Sequence, residues 1–504
     1  MRLAALGLLV VAIALVSCGD GAEVRQQPAP EPQKKASTPT AEEKSTEAKP
    51  RERAPKPIDL SDLRDPFPLH GIATYFQMNV YRETEQDDNN VRGSLRRGSR
   101  FRARMTDSRR GCSAGWVELE AGGYVCSGRG NLVDKIPPVV DDLPVFPALG
   151  SALPYAYGYT VRNDVPQYWT VPDRNAEIQA IEAIKKRRQW EAEKREELAA
   201  MSDADAGIVL PPETLEEAPP LPEHLRLPML KGFYVSLDRV IANTEDTEFL
   251  RTVRGAHVKR ADLLMNEPPT SRGVVLAGEW QLPLAFVWRR GARGYTYDID
   301  SRTAGERIVL ERQSAYRVED PRFVHDDQPY VLTKEGVLAH TSSVHIVEAV
   351  SRPATVPENA RWIHIDLETQ SLVAYEGDLP VFATLVSTGK EGFGTPPGLF
   401  RIHSKYVSTT MDDMAGDEPY SIEDVPWTMY FHGNFAIHGA FWHYTFGRVR
   451  SHGCVNVSPI DARWLFFWAT PSLPPEWHSI QGTLRDEATY VFVDGPLDQT
   501  SKAP

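Results

Sequence analysis

Apolar and polar residues alternate in short runs over residues 68–135, as in Phe101-Arg-Ala-Arg-Met105, and Gly and Asp/Asn clusters interrupt the runs. A period of two puts successive side chains on opposite faces of a strand, so this stretch predicts a small all-β unit. Between 175 and 201 the pattern changes. Glu177 to Leu198 is highly charged, rich in helix formers and free of Gly and Pro, which predicts an exposed helix laced with Glu/Lys/Arg pairs. Its apolar positions, Ile178, Ile181, Ile184, Trp190 and Leu198, give only a partial stripe and no coiled coil. Residues 202–228 read as an acidic, proline-rich linker. β-like patterning returns over 229–355, for example Gly232-Phe-Tyr-Val-Ser-Leu237 and Val274-Val-Leu276, and predicts one irregular, mainly β domain packed against the C-terminal region. The expected fold class is therefore mainly β with one charged helix.

The N-terminal residues share neither pattern. Arg2 precedes an apolar run from Leu3 to Val16, too short for a comfortable bilayer span, so 1–18 reads as a secretory signal. Its ending, Leu15-Val16-Ser17-Cys18, resembles a bacterial lipobox, which implies that Cys18 becomes a lipidated first residue; an ordinary signal peptide cut nearby is the alternative. Gly19 rather than Asp comes after the cysteine, which favours an anchor in the outer membrane and a periplasmic place in the cell envelope. Residues 19–60 are rich in Pro, Glu, Lys, Ala and Thr and predict a disordered tether. Fully extended, ~40 such residues reach about 130 Å.

Composition narrows the classes further. A chain of 504 residues with 41% hydrophobic content has room for several cores and about three domains. A net charge of −13 without an extended basic region argues against nucleic-acid binding. Eight arginines between Arg92 and Arg110 reverse that charge locally. A solvated strand face is the simpler reading, and attraction of anionic polymers or lipid headgroups is the alternative.

The candidate chemistry lies near the C-terminus, in Ser451-His452-Gly453-Cys454-Val455-Asn456, preceded by Ile437-His438-Gly439. A cysteine attacks as thiolate and so needs a nearby base or cation. Two histidines, His438 and His452, lie upstream within reach of a fold. Gly453 permits a tight turn that can aim backbone N–H groups at an oxyanion. The other cysteines sort by setting. Cys112 and Cys126 flank Gly115-Trp-Val-Glu-Leu-Glu-Ala-Gly-Gly-Tyr-Val125, which reads as strand, turn and strand, so a disulfide between them is geometrically plausible; two buried thiols are the alternative. A zinc site of His438, His443, His452 and Cys454 is a competing class, although the spacing fits no usual helical ligand pair and no carboxylate lies close by.

The string SHGCVN with Ile-His-Gly before it resembles the signature of the L,D-transpeptidase catalytic domain of the YkuD type. Trp362-Ile-His-Ile-Asp-Leu367 with Gln370-Ser-Leu-Val-Ala-Tyr375 resembles its opening hairpin. Ser387-Thr-Gly-Lys390 and Thr395-Pro-Pro-Gly-Leu-Phe-Arg-Ile402 resemble its approach to the site. The resemblance covers residues 360–495 and implies a β-sandwich catalytic domain there. It implies Cys454 as nucleophile and His438 as the proton-shuttling partner, oriented by the carbonyl of Gly439. Ser451, His452 and Gly453 are read as shaping the turn, with His452 as base the alternative. The N–H groups of Gly453 and Cys454 are the oxyanion candidates. Asn456 stands where many members carry arginine, so a substrate contact there changes character. Trp427, Tyr430, Phe441, Trp442 and Tyr444 give the expected groove its aromatic lining. Asn79-Val-Tyr81 and the Gly-Trp…Gly-Gly-Tyr-Val stretch make 68–135 resemble a bacterial SH3-like domain, with possible wall-polymer binding. The implied reaction is attack on a peptidoglycan tetrapeptide stem, release of D-alanine, and a third-residue to third-residue (3→3) cross-link, with no metal or diffusible cofactor. Water as acceptor would give an L,D-carboxypeptidase, and a protein lysine would give attachment or detachment of outer-membrane proteins. An inactive wall-binding lipoprotein is the remaining class.

Overall fold

The computed structural model describes residues 65–201, 214, 217–243, 246–413 and 419–496. The expected signal segment with Cys18, the tether and part of the 202–228 linker lie outside the described residues. The described chain is mainly β, with α-helices at Arg174–Met201 and Pro459–Trp468.

Over residues 69–134 the alternation forms short antiparallel strands. Leu69–Ala73 lies between Arg100–Met105 and Asn131–Asp134. Gln77–Tyr81 pairs with Val91–Arg96 and meets Tyr124–Cys126, which continues through Trp116–Leu119 back to Arg100–Met105. Met78, Val80, Leu95, Val117, Leu119 and Val125 fill the interior. Cys112 and Cys126 are joined as a disulfide with Cα atoms 5.7 Å apart. The module does not close its core alone. Trp477, from far along the chain, is buried in the same cluster. Its neighbours Ser479 and Ile480 pair with Ser94 and Gly93. Gly93 permits the approach, since a Cβ there would stand 2.2 Å from the Ser479 carbonyl oxygen and 2.8 Å from the Trp477 ring.

The arginine run is not one solvated face. Arg96 is buried, because the strand carrying it is covered by the C-terminal domain. Arg104 pairs with Glu118 and Arg110 with Glu85, while Arg102 pairs with Asp65. Arg92 lies over the Trp477 ring. Much of the local positive charge is thus matched within the fold.

Residues 229–355, read from sequence as one region, contribute strands to more than one sheet. Leu225–Met229, Tyr234–Ala242, Glu248–Thr252, His257–Lys259 and Leu263–Met265 pair among themselves and with Ala156–Thr160 and Val165–Tyr168. The helix Arg174–Met201 covers part of this body through Ala180 and Ile184, which pack with Tyr168, Leu225 and Phe249. From Leu284 to Val347 a separate seven-stranded sheet forms around Val287, Leu310, Val318 and Val331.

The C-terminal region builds two facing sheets on one core. Arg361–Asp366, Ser371–Glu376, Leu379–Leu385, Gly398–Arg401 and Tyr490–Asp494 form one, edged by Val274–Val275. Ser404–Asp413, Tyr420–His432, Phe435–Gly439, Val455–Val457 and Ser479–Gln481 form the other. Ile363, Ile365 and Leu372 meet Met429, Ile437, Val455 and Val457 across the interior, closed by Leu465 and Phe466 of the second helix. Ser458 caps that helix by accepting from the Asp461 N–H at 3.2 Å.

One carboxylate ties three of these regions together. Asp424 is fully buried and accepts from Arg96 at 2.5 Å, Ser236 at 2.6 Å and Ser408 at 2.9 Å. Its carbonyl accepts from the Tyr157 hydroxyl at 2.6 Å. Burial alone would raise its pKa, but the Arg96 and Arg254 guanidiniums and the Ser236 hydrogen bond outweigh burial and hold the carboxyl far below the usual range. Removing one partner of such a pair strands the other in a dry interior. Asp424→Ala is therefore expected to cost about 3–5 kcal/mol, read as a lowered urea midpoint, and Arg96→Ala added to it should cost much less than it does alone. Additive losses in the two variants would refute the coupling.

Candidate active site

The site begins with a register. Phe435–Gly439 and Val455–Val457 run parallel, with Ile437 beside Val455 and His438 beside Asn456. Alternation then sends Ile437 and Val455 into the core and places His438, Asn456 and Cys454 together on the opposite face. A pocket of about 590 Å³ opens over that face, lined by His438, Trp442, Arg450, His452, Cys454 and Asn456.

The Ser451–Asn456 loop is held from one side by the Ser387–Lys390 stretch. Ser387 and Asn456 exchange backbone hydrogen bonds at 2.9 Å, the Ser451 N–H donates to the Thr388 carbonyl at 3.0 Å, and the Lys390 N–H donates to the Ser451 carbonyl at 2.9 Å. Gly389 is required by crowding, since a Cβ there would stand 1.9 Å from the Phe393 carbonyl oxygen. Gln370 fixes the strap in turn: its Oε1 accepts from the Thr388 N–H at 2.9 Å and its Nε2 donates to Thr388 Oγ1 at 2.7 Å. Thr395 Oγ1 donates to the Gly453 carbonyl at 2.6 Å. Gly453 has φ +116°, and a Cβ on it would meet the Phe435 ring at 2.5 Å.

Within the loop Ser451 is the local brace. Its Oγ donates to the Cys454 carbonyl at 2.5 Å and accepts from the Gly453 N–H at 3.0 Å. The Gly453 N–H, expected as an oxyanion donor, is thus already committed, and the Cys454 N–H is the remaining candidate of the pair. His438 Nδ1 lies 3.4 Å from the Gly439 carbonyl oxygen. With that nitrogen as donor, Nε2 carries the lone pair that can accept a proton. Trp442 stacks on the His438 ring at 5.7 Å between centroids.

Electrostatics at rest differ from an activated ion pair. Burial pushes the Cys454 thiol up to about 11, only partly offset by a hydrogen bond from the Ala436 N–H. Burial pushes His438 down to about 4, against a small opposing effect of the Gly439 carbonyl. Burial disfavours the ionised form of each group, so the pair rests as thiol and neutral imidazole.

The other expected residues separate. His452 lines the pocket, with its ring stacked on Tyr420 at 5.3 Å and edge-on to Phe393 at 4.6 Å. Asn456 Nδ2 is 2.9 Å from His443 Nε2, so His443 is turned to this partner, and burial pushes its pKa down to about 3. Tyr430 stands near Cys454: burial first, then the charge of a Cys454 thiolate, pushes its hydroxyl up to about 12. Three expected groove aromatics lie elsewhere. Trp427 is fully buried against Phe466 and Phe467, with its Nε1 donating to Ala152. Phe441 is fully buried and packs against Tyr157, with ring centroids 4.1 Å apart and the planes tilted by 31°. Tyr444 is exposed and donates to the Glu267 carbonyl. Nearness in sequence to a pocket strand does not choose its face. Sequence reasoning missed Tyr234, Tyr420 and Arg450 as pocket residues. Arg450 adjoins the SHGC string and is open to notice there, whereas Tyr234 arrives from a distant strand.

The neutral pair sets a pH profile. Alkylation of Cys454 by iodoacetamide is expected to be slow at neutral pH and to rise about tenfold per pH unit toward pH 11. His452→Ala should leave that profile in place. A rate already at its plateau by pH 6 would show a resting thiolate–imidazolium pair instead.

No curated protein matches this chain. Solved structures similar to parts of it include a cysteine-to-serine mutant of Enterococcus faecium L,D-transpeptidase, at 24% identity over 27% of this chain and 50% of that one, with a TM-score of 0.22. An L,D-transpeptidase from Mycobacterium smegmatis is 19% identical over 32% of this chain and 75% of that one, TM-score 0.23. L,D-transpeptidase 3 from Mycobacterium tuberculosis is 17% identical over 27% and 61%, TM-score 0.23. The chain thus spans half the length of the first of these. Residues 360–483, which contain His438 and Cys454, match the family described as YkuD, the L,D-transpeptidase catalytic domain.

Proposed function

We propose that this protein is a peptidoglycan L,D-transpeptidase that works through a thioester on Cys454. The observation that carries the reading is the parallel register that sets His438 and Cys454 on one face beneath the pocket. The family match over 360–483 supports it.

In this reading a tetrapeptide stem lies in the pocket with its terminal D-alanine bond over Cys454. As the sulfur attacks the carbonyl carbon at the L-centre of the third residue, its proton passes to His438 Nε2. The S–C bond forms and the carbonyl oxygen takes the negative charge, facing the Cys454 N–H. On collapse the C–N bond to D-alanine breaks, and the departing amine takes the proton from His438. A diaminopimelate side-chain amine of a second stem then attacks the thioester and gives its proton to His438; as the S–C bond breaks, His438 returns that proton to the Cys454 sulfur, which leaves a 3→3 cross-link and the resting thiol and imidazole. Burial that keeps both groups neutral at rest protects the thiol from idle reaction in an oxidising compartment. The proposal places the chain in the cell envelope, held through a lipid on Cys18.

Cys454→Ala is expected to abolish turnover of defined muropeptides, followed by mass spectrometry, with stability within about 1–2 kcal/mol of the parent. A cross-linked dimer with free D-alanine as co-product fits the transpeptidase. Trimmed tripeptide alone would reassign the acceptor to water, and activity surviving in Cys454→Ala would sink the thioester.

A further inference from the structure

The sheet spanning 284–347 carries a groove that the catalytic reading does not use. Arg293–Asp298 pairs antiparallel with Thr303–Val309, and Tyr295 stands opposite Arg307. Alternate positions share a face, so Arg293, Tyr295 and Arg307 stand together. Tyr330 and His340, partners on the neighbouring pair of strands, extend it, with the Tyr330 ring 6.1 Å from Tyr295 and 5.4 Å from His340. Arg289 and Arg290 join them to line a groove of about 540 Å³ with four guanidiniums and no carboxylate. Burial first, then Arg448 and Arg290, pushes the Arg312 pKa down, while burial, Tyr295 and Asp326 raise that of Tyr330, so one carboxylate acts near the arginines without lining the groove. Such a concentration in a chain of net charge −13 costs self-repulsion that an anionic ligand would relieve.

The groove's sheet is fastened to the catalytic loop. His345 Nε2 lies 3.1 Å from the Gly447 carbonyl oxygen, and Trp288 carries the Arg448 guanidinium at 4.4 Å. Two residues beyond Arg448, Arg450 lines the catalytic pocket. The sheet that carries the arginines is therefore tied, through His345 and Trp288, to the segment that leads into the pocket.

We propose that this groove is an exosite for the carboxylates of peptidoglycan stem peptides, gripping the polymer while the pocket works on one stem; it rests on the reading of that pocket as a stem-peptide site. Planar guanidiniums match planar carboxylates in pairs of hydrogen bonds. A groove floored by tyrosine rings and edged by guanidiniums accepts a chain segment that carries carboxylates.

The test is co-sedimentation of the full-length Cys454→Ala protein with purified sacculi. Adding Arg290→Ala, Arg293→Ala and Arg307→Ala is expected to weaken binding about tenfold, as three exposed charge contacts are lost. Binding of the parent should fall as salt rises, and sacculi whose carboxylates have been amidated should fail to hold it. Undiminished binding in the triple variant with an unchanged thermal midpoint, or full binding to amidated sacculi, overturns the exosite. Loss confined to phosphatidylglycerol vesicles would assign the groove to lipid phosphates and overturn it equally. The Cys454→Ala background turns nothing over, so this outcome is read separately from that of the muropeptide assay.

Discussion

The fold depends on one buried carboxylate. Asp424 takes a guanidinium from the N-terminal module and hydroxyls from the middle region and the C-terminal region, all of them away from solvent. A desolvated charge has few acceptable arrangements, so each partner must arrive at its own place. The aromatic setting reinforces this, because Arg96 and Arg254 both lie over the Phe76 ring, at 3.9 and 4.7 Å. Hydrophobic packing supplies most of the driving force in all three regions, but it is tolerant of small shifts. The ion pair is not, and it sits on the same strand, Tyr420–His432, whose Tyr420 and Ile422 line the pocket over Cys454.

The pocket inherits that rigidity from two directions. The strap Ser387–Lys390 grips the Ser451–Asn456 loop by main-chain hydrogen bonds, and Gln370 locks the strap. The histidine is set by a sheet register and a stacked tryptophan rather than by a carboxylate partner. Position, not a resting charge, is what this arrangement provides, which is consistent with a thiol pushed up and an imidazole pushed down.

How much of this is legible in the sequence depends on where the information lies. The SHGC string with its upstream histidine is local chemistry in one short segment, and a reader of sequence finds it at once. The mainly β character is visible because strand alternation is also local. Arg96 is lost among eight arginines because nothing in the run distinguishes the one that turns inward. Trp427 and Phe441 read as groove residues because an aromatic next to a pocket strand looks the same on either face. Tyr234 could not be found at all, since only the tertiary fold carries it to Cys454. The region 229–355 reads as one because both halves have the same short-strand pattern, and only pairing partners tell the sheets apart.

Trp477 bears on inheritance as well as packing. It lies within the span that matches the transpeptidase family, yet its side chain completes the core of the module around Val80 and Val125. Gly93 answers it with an absent side chain. A gene fusion that exchanged either segment for a foreign one would leave a bare indole on one piece and an open core on the other. The two segments are thus complementary parts of a single core, and neither is complete without the other.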